Sequence, residues 1–322
     1  MRGPGAGLTH VYLIHVRIAR SWTHCLRGAR RPHAPRFSTV KPAAFEYARP
    51  ESVAEALALL AGEGERAKVL AGGQSLVALM NLRLAAPELV VDIGRLEELR
   101  YVRQNGALRI GALTTQRTVE HDGSIAASCP LLAEAVGHIA HAAIRNRGTV
   151  GGSIAHADPA AELPLVMLAL GGDATVASAA GTRVVPADDF FHGFLVTAIE
   201  PHELLTEISL PLAGEDEGFA FEEFARRPGD FGLVSVACRV TRQGDGVASA
   251  RVVLGGMGHA PVLLEGLDAL GGISPDEAAE AAGAAAAALE AVADIHASTA
   301  YRSHLARELT KRAVRRAAAG GA

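Results

Sequence analysis

Two glycine pairs are the residues of this sequence whose types and spacing best suit chemistry. The first lies in Val69-Leu70-Ala71-Gly72-Gly73-Gln74-Ser75-Leu76, where an apolar run that reads as a strand passes into Gly-Gly and then a small hydroxyl residue. Lacking a Cβ, glycine lets a ligand approach the backbone and permits positive φ. Successive N–H groups in such a turn can converge on an anion and form a phosphate nest. The second pair, in Thr149-Val150-Gly151-Gly152-Ser153, repeats the pattern with a hydroxyl on each flank. Either pair alone is most simply a tight turn, whereas two in one α/β chain raise the expectation of a shared pyrophosphate ligand. His156 and Asp158 follow the second pair and read either as a polar loop before Pro159 or as contacts to the same ligand. Glu162, before Leu163-Pro164, could accept from a ribose hydroxyl, or be an ordinary carboxylate in the first turn of a helix.

Other chemical devices are missing. No G-x-G-x-x-G follows a strand, so an ordinary Rossmann dinucleotide site is not expected, and there is no Walker A loop and no H-E-x-x-H. Gly255-Gly256-Met257-Gly258 lacks the third glycine of that fingerprint and reads as a packing turn. His138 and His141 could share a helix face, but no third ligand accompanies them, so no metal site is expected. No acid–base or nucleophile constellation stands out; Tyr101 and Glu120 are the nearest candidates, and neither sits in a motif.

The elements that must position the glycines are readable from pattern. Ser52-Val53-Ala54-Glu55 forms a capping box, and Val53, Leu57 and Leu60 recur at helical spacing, predicting a helix to about Ala61. Ala67 to Leu70, Leu89 to Ile93 and Leu108 to Ala112 read as strands, and Leu131 to His141 as a helix. Thr175 to Ala177 and Arg183 to Val185 flank a turn at Gly181, and Leu204 to Leu210 alternates until Pro211. Gly214-Glu215-Asp216-Glu217-Gly218 is a polar linker and the expected domain boundary. Beyond it come three alternating segments, Phe219 to Phe224, Leu233 to Val240 and Val247 to Leu254. Gln243-Gly244-Asp245-Gly246 joins the last two as a hairpin. A helix starts at Ser274-Pro275 and a final one runs from about Thr299 to Ala318, basic toward its end. The second domain is thus expected to be a three-stranded antiparallel sheet backed by helices.

Composition bounds the reading further. The chain has 322 residues, 49% hydrophobic and 20% charged, enough for about two globular domains. With 31 Lys+Arg against 35 Asp+Glu, a globally basic nucleic-acid binder is excluded. From Met1 to Thr39 there are seven arginines and no acid, and the remainder carries 24 basic against 35 acidic side chains. This break marks residues 1–40 as a separate extension. It is expected to be poorly ordered, and is read either as translated upstream sequence ahead of a start at Val40, as a targeting peptide, or as a functional arm. Cys25, Cys129 and Cys238 are too few and too scattered for a disulfide scaffold or a four-thiolate cluster. No apolar run reaches the length of an integral membrane segment. A reduced, cytoplasmic protein is expected.

The two glycine loops resemble the flavin-loop motifs of the FAD-binding medium subunit of molybdenum hydroxylases, the aerobic carbon monoxide dehydrogenase and xanthine dehydrogenase group. The similarity runs through Arg145-Asn146-Arg147-Gly148, Asp158-Pro159-Ala160-Ala161-Glu162-Leu163-Pro164 and Glu203-Leu204-Leu205-Thr206-Glu207-Ile208. It continues into Ala225-Arg226-Arg227-Pro228-Gly229-Asp230-Phe231, and so covers the chain from Lys41 onward. The resemblance implies an α/β (α+β) fold, with a p-cresol-methylhydroxylase-type two-lobed FAD-binding domain over residues 41–213 and a smaller domain over 218–322. It places Val69, Leu70, Ala71, Gly72, Gly73, Gln74, Ser75 and Leu76, with Thr149, Val150, Gly151, Gly152 and Ser153, around the FAD pyrophosphate. Asp158 and Glu162 fall near the cofactor, Glu162 at its ribose, with Leu205 beside it and Phe231 near the flavin-facing loop. Gln74 stands where the family often has His, and Ser153 where it often has Asn. The resemblance also implies an electron-transfer role, with iron–sulfur clusters on a small two-iron two-sulfur partner subunit and molybdopterin on a large one, in a heterohexamer with two copies of each chain. A self-sufficient FAD-dependent oxidoreductase acting directly on a small organic substrate is the alternative.

Overall fold

The computed structural model describes residues 41–320, so the basic extension, with Cys25, lies outside the described residues. Strand β1 (Glu46–Ala48), helix α1 (Val53–Glu63), β2 (Ala67–Leu70), α2 (Leu76–Asn81) and β3 (Leu89–Asp92) build a parallel sheet of order β1-β3-β2. β3 is central and nearly all apolar, as a parallel strand covered on both faces must be. Leu57 and Leu60 of α1 pack on Leu89, Val91 and Ile93. Ser52 caps α1 by accepting the Glu55 N–H, but the return bond of the expected box goes one residue back, from the Glu51 N–H to the Glu55 carboxylate.

The next segment comprises β4 (Val102–Gln104), β5 (Leu108–Gly111) and six helices: α3 (Gln116–His121), α4 (Gly123–Ser128), α5 (Pro130–His138), α6 (Ala142–Arg145), α7 (Val150–His156) and α8 (Glu162–Leu170). Then come β6 (Asp173–Ser178), β7 (Gly181–Pro186), the small hairpin β8 (Phe191–Gly193) and β9 (Val196–Thr197), and β10 (Leu204–Leu210). All of these strands but β8 and β9, which pair with each other, form an antiparallel sheet of order β4-β5-β10-β6-β7. α5 stops three residues before the expected His141. Ala140 turns to φ 41°, and the Arg145 side chain donates to the carbonyls of Ile139 and Ala140 there. β10 carries a bulge between Leu205 and Glu207, a device that redirects side chains at a strand end.

The remaining elements are β11 (Glu217–Phe224), β12 (Val234–Gln243), β13 (Gly246–Gly255), β14 (Val262–Leu263), α9 (Pro275–Ala287) and α10 (Thr299–Ala318). The sheet has four strands, β11-β12-β13-β14, not the expected three. The fourth pairs through Val253↔Leu263 and Leu254↔Val262; two residues after a proline are too short to show alternation. The hairpin at Gly244 forms as expected. Helix α8 is buried along all nine residues and packs between the five-stranded sheet and this one. Its terminal carbonyls are taken up from the second sheet: Arg251 donates to Leu168 O at 2.8 Å and Arg239 to Leu170 O at 3.2 Å. No described helix is long and apolar enough to cross a membrane.

One buried cation ties α10 to the loops in front of it. Arg302 donates to the carbonyls of Leu233 and Gly256 and to Asp294, and Gly256 in turn donates to Pro159 O at 3.0 Å. Replacing it leaves two buried carbonyls unpaired. Arg302→Met is therefore expected to lower the stability of the full chain by about 2–4 kcal/mol, read from the urea midpoint. A change within about 0.5 kcal/mol, the scale of a neutral surface substitution, would show that the guanidinium does not hold these loops.

Candidate functional site

The two glycine loops meet. A Cβ built on Gly72 would stand 2.1 Å from Arg147 O, so only a bare backbone allows this approach, and a Cβ on Gly152 would stand 3.8 Å from Ala71 Cβ. Together they wall a cavity of about 540 Å³, within the range of small-molecule and cofactor sites. Val69, Ala71 through Leu76, Thr149, Gly151, Gly152, Ser153, Asp158, Glu162, Leu205 and Phe231 all line it. Of the residues that the resemblance places around the cofactor, Leu70 and Val150 do not: Leu70 accepts the Ile93 N–H at the end of β2, and Val150 is buried in the core.

The loops contribute differently. In the first, the N–H groups of Gly72, Gly73, Gln74, Ser75 and Leu76 donate to no partner among the described residues. Gly73 takes φ 74°, and the Gln74 side chain folds back onto Gly72 O at 3.1 Å. Five consecutive unpaired amides on a cavity wall are ligand donors in waiting, because folded chains otherwise pair such groups. In the second loop the expected free amides are already used. Thr149 caps α7, its Oγ1 accepting the Gly152 N–H at 3.0 Å, while Gly151 donates to Ala112 O and Ser153 to Thr149 O. The second pair is there for close packing: a Cβ on Gly151 would stand 2.5 Å from Ala112 Cβ. It forms the start of a helix, not a turn after a strand.

Burial sets the charge state of the lining. Glu162, at the start of α8, is 4% exposed, and desolvation pushes its carboxyl up to about 8. Desolvation likewise holds His156 below the ordinary imidazole range. Asp158 makes a local turn, accepting the Ala160 N–H at 2.9 Å. His138 and His141 separate: His138 faces Glu223, which raises its pKa, and the His141 ring packs under Gly229. Tyr101 donates to Glu207 at 2.8 Å and Glu120 pairs with Arg145 at 2.7 Å. Neither lines the cavity, so neither can serve as acid or base there.

Sequence reasoning missed the wall between the loops: Ile139, Ala140, Ile144 and Gly148, with Gln116 from α3. Arg147-Gly148 carries a signal only through the family resemblance, and a lone Gln after two threonines carries none. Gly229 and Asp230 also line the cavity, beside Phe231, which is 62% exposed at its edge.

Two family models match the chain: FAD binding domain in molybdopterin dehydrogenase over residues 43–213, and CO dehydrogenase flavoprotein C-terminal domain over residues 219–317. The nicotine 6-hydroxylase medium subunit of Paenarthrobacter nicotinovorans is 39% identical over 279 residues, 85% of this chain and 98% of that one. The carbon monoxide dehydrogenase medium chain of Hydrogenophaga pseudoflava is 38% identical over 277 residues, 85% of this chain and 96% of that one. A solved structure of carbon monoxide dehydrogenase from Hydrogenophaga pseudoflava superposes with a TM-score of 0.84 at 37% identity, covering 87% of this chain and 99% of that one.

Two measurements probe the site directly. Gly72→Ala must part the loops, so the purified variant is expected to retain less than about a tenth of the wild-type flavin absorbance per protein; wild-type flavin content would sink the loop contact. For Glu162 the sign follows from linkage. Its carboxyl titrates near 4.5 when unfolded and at about 8 when folded, so over that interval the unfolded chain has released a proton that the folded chain keeps. Stability of the ligand-free protein therefore falls as pH rises from about 5 to about 8, then levels off. His138, also raised, contributes a slope of the same sign, so the difference between wild type and Glu162→Gln isolates Glu162. Urea midpoints at pH 5–9 should show a shallower fall in the variant, and parallel curves would contradict a buried neutral carboxyl.

Proposed function

We propose, from the premise that this chain belongs to the FAD-binding medium subunits of molybdenum hydroxylases, that it carries one FAD and relays electrons within a multisubunit oxidoreductase. The observation that carries the reading is the row of five unpaired amides at Gly72–Leu76, closed against the second loop on a cofactor-sized cavity. These amides, with Gly73 in the left-handed region, are placed to hold a diphosphate by backbone dipoles. Ser75 and Ser153 line the same wall. Glu162 is neutral at pH 7 and can donate or accept toward a ribose hydroxyl without adding a further negative charge. Leu205 and Phe231 offer apolar surface for a ring system. FAD, when bound, supplies the redox chemistry, accepting electrons from iron–sulfur clusters and passing them to an external acceptor. The chain's own part is to bind, orient and shield, which suits a cavity without an acid–base pair.

The reading extends to features the family implies. The two sheets before Ala213 are taken as the two lobes of a p-cresol-methylhydroxylase-type domain (residues 41–213), with residues 218–322 as the second domain and 1–40 as an extension outside both. The iron–sulfur clusters and molybdopterin belong to a small and a large partner, two copies of each of the three chains forming a heterohexamer in the cytoplasm. The buried, unpaired thiols Cys129 and Cys238 support a reducing compartment.

Purification from the native host, followed by flavin, iron, sulfide and molybdenum analysis, tests this. Equimolar FAD on this chain, with iron, sulfide and molybdenum on two companions, is the expected result. A chain that takes up no FAD would overturn the reading, and turnover of an organic substrate by the isolated chain at the rate of the complex would replace it with the self-sufficient enzyme.

A further inference from the structure

One residue on the cavity wall takes a backbone conformation that its side chain disfavours. Among the described residues four besides glycine have positive φ: Arg83, Ala140, Ala157 and Leu195. The first three follow the ends of α2, α5 and α7, where a left-handed residue is an ordinary way for a helix to stop. Leu195 follows no helix. It lies at the tip of the β8–β9 hairpin, where Gly193 pairs with Val196 across the two-residue turn Phe194-Leu195, and its φ is 57°. Glycine or asparagine usually fills such a position, and a bulky residue there is an outlier. Strain of this kind persists only where the surroundings hold it, and it clusters at ligand-binding sites.

The surroundings do hold it. The Ala198 N–H donates to Phe190 O at 2.9 Å, and Arg183, paired with Glu203, donates to Ala198 O at 2.6 Å, so the base of the hairpin is fixed. The fold, however, makes little use of the side chain. Phe191, Ala198 and Ile199 pack on the core, whereas Leu195 belongs to none of the hydrophobic clusters among the described residues. It is half-buried, between Phe194 and Val196, which are exposed, and it lines the cavity. Ile199, Leu204 and Leu205 line the cavity as well, so this stretch of wall contrasts with the free amides of the first glycine loop. An apolar wall offers a diphosphate nothing, whereas a flat heterocycle gains by leaving water there.

We propose that Leu195 packs against a ring of the bound dinucleotide, and that the strain at the hairpin tip is retained for this contact. The inference rests on the FAD reading above and adds an apolar contact to the backbone donors of the first glycine loop. Without ligand the side chain is partly open to water, and a bound ring covers it.

The experiment compares wild type with Leu195→Gly, Leu195→Asn and Leu195→Met as full chains stripped of flavin. FAD is titrated by fluorescence quenching, ADP by calorimetry, and thermal unfolding of each ligand-free protein is followed. Glycine and asparagine suit the turn but lack the apolar contact, whereas methionine keeps both the contact and the strain. Leu195→Gly and Leu195→Asn are expected to weaken FAD binding roughly three- to twentyfold, the scale of a partly buried leucine side chain. Their ligand-free forms should melt no lower than wild type, because the turn is relieved. Leu195→Met should bind FAD within about threefold of wild type. A loss that ADP shares places the adenine against Leu195, and a loss confined to FAD places the isoalloxazine there. FAD affinity within about threefold of wild type in both Leu195→Gly and Leu195→Asn overturns the inference while leaving the FAD reading intact. A fall in ligand-free melting temperature that accompanies the affinity loss in both also overturns it, because the side chain then serves the fold. Wild-type chain that binds no FAD overturns the reading beneath it and the inference together.

Discussion

The site depends on one contact between backbones. Gly72 lies against Arg147 O so closely that any side chain at that position would collide with it, and this brings the free amides of one loop to the helix start of the other. The receiving side is rigid. Gly148 donates to Ile144 O and accepts from Gln116 N, while Arg145 makes a two-pronged pair with Glu120 and donates to two carbonyls at the end of α5. Arg145 holds the Glu120 carboxyl below the usual carboxylate range, and both side chains are largely buried. The electrostatics of that pair thus serve geometry, fixing the turn on which Gly72 rests.

The second domain reaches the same region through hydrogen bonds of the main chain. Gly256, in the left-handed region with φ 74°, donates to Pro159 O, just before α8, and Arg302 fastens Gly256 and Leu233 from behind. Asp158 and Glu162 on one side and Phe231 on the other are therefore positioned partly by residues of the C-terminal sheet and helix. The Gly255-Gly256 pair, which reads from sequence as a packing turn, is a packing turn, and its packing partner is the segment that carries Glu162.

Much of this was legible before any coordinates. Strands β2, β3, β5, β10, β12 and β13 follow alternation or short apolar runs bounded by turn residues, and the helices that begin at Ser52 and Ser274 announce themselves by their caps. The convergence of the two glycine loops was an expectation, and both face one cavity. What the pattern could not show was how their amides are spent. Gly72-Gly73 and Gly151-Gly152 are alike in sequence, yet Thr149 lies three residues before Gly152, where its hydroxyl captures that amide, and no hydroxyl or carboxylate precedes Gly72 at that spacing. β14 was invisible because two residues have no period. Gln116 was invisible because burial of a polar residue is a tertiary property.

The cavity's charge pattern follows from these placements. Among the described residues Lys68 is the only Lys or Arg that lines it, Glu203 is paired with Arg183, and desolvation raises the Glu162 carboxyl to about 8 and lowers His156 below the ordinary imidazole range. A diphosphate here would be met chiefly by oriented peptide dipoles, not by opposite charges. Such dipoles are fixed by the fold and need no rotamer ordering on binding, as the long side chains of lysine or arginine would. The cost appears elsewhere: donors that are unpaired without ligand, and glycines whose replacement the backbone cannot accommodate. A cavity built this way is organised to hold a cofactor firmly and neutrally, and it leaves the chemistry to whatever ring the cofactor presents.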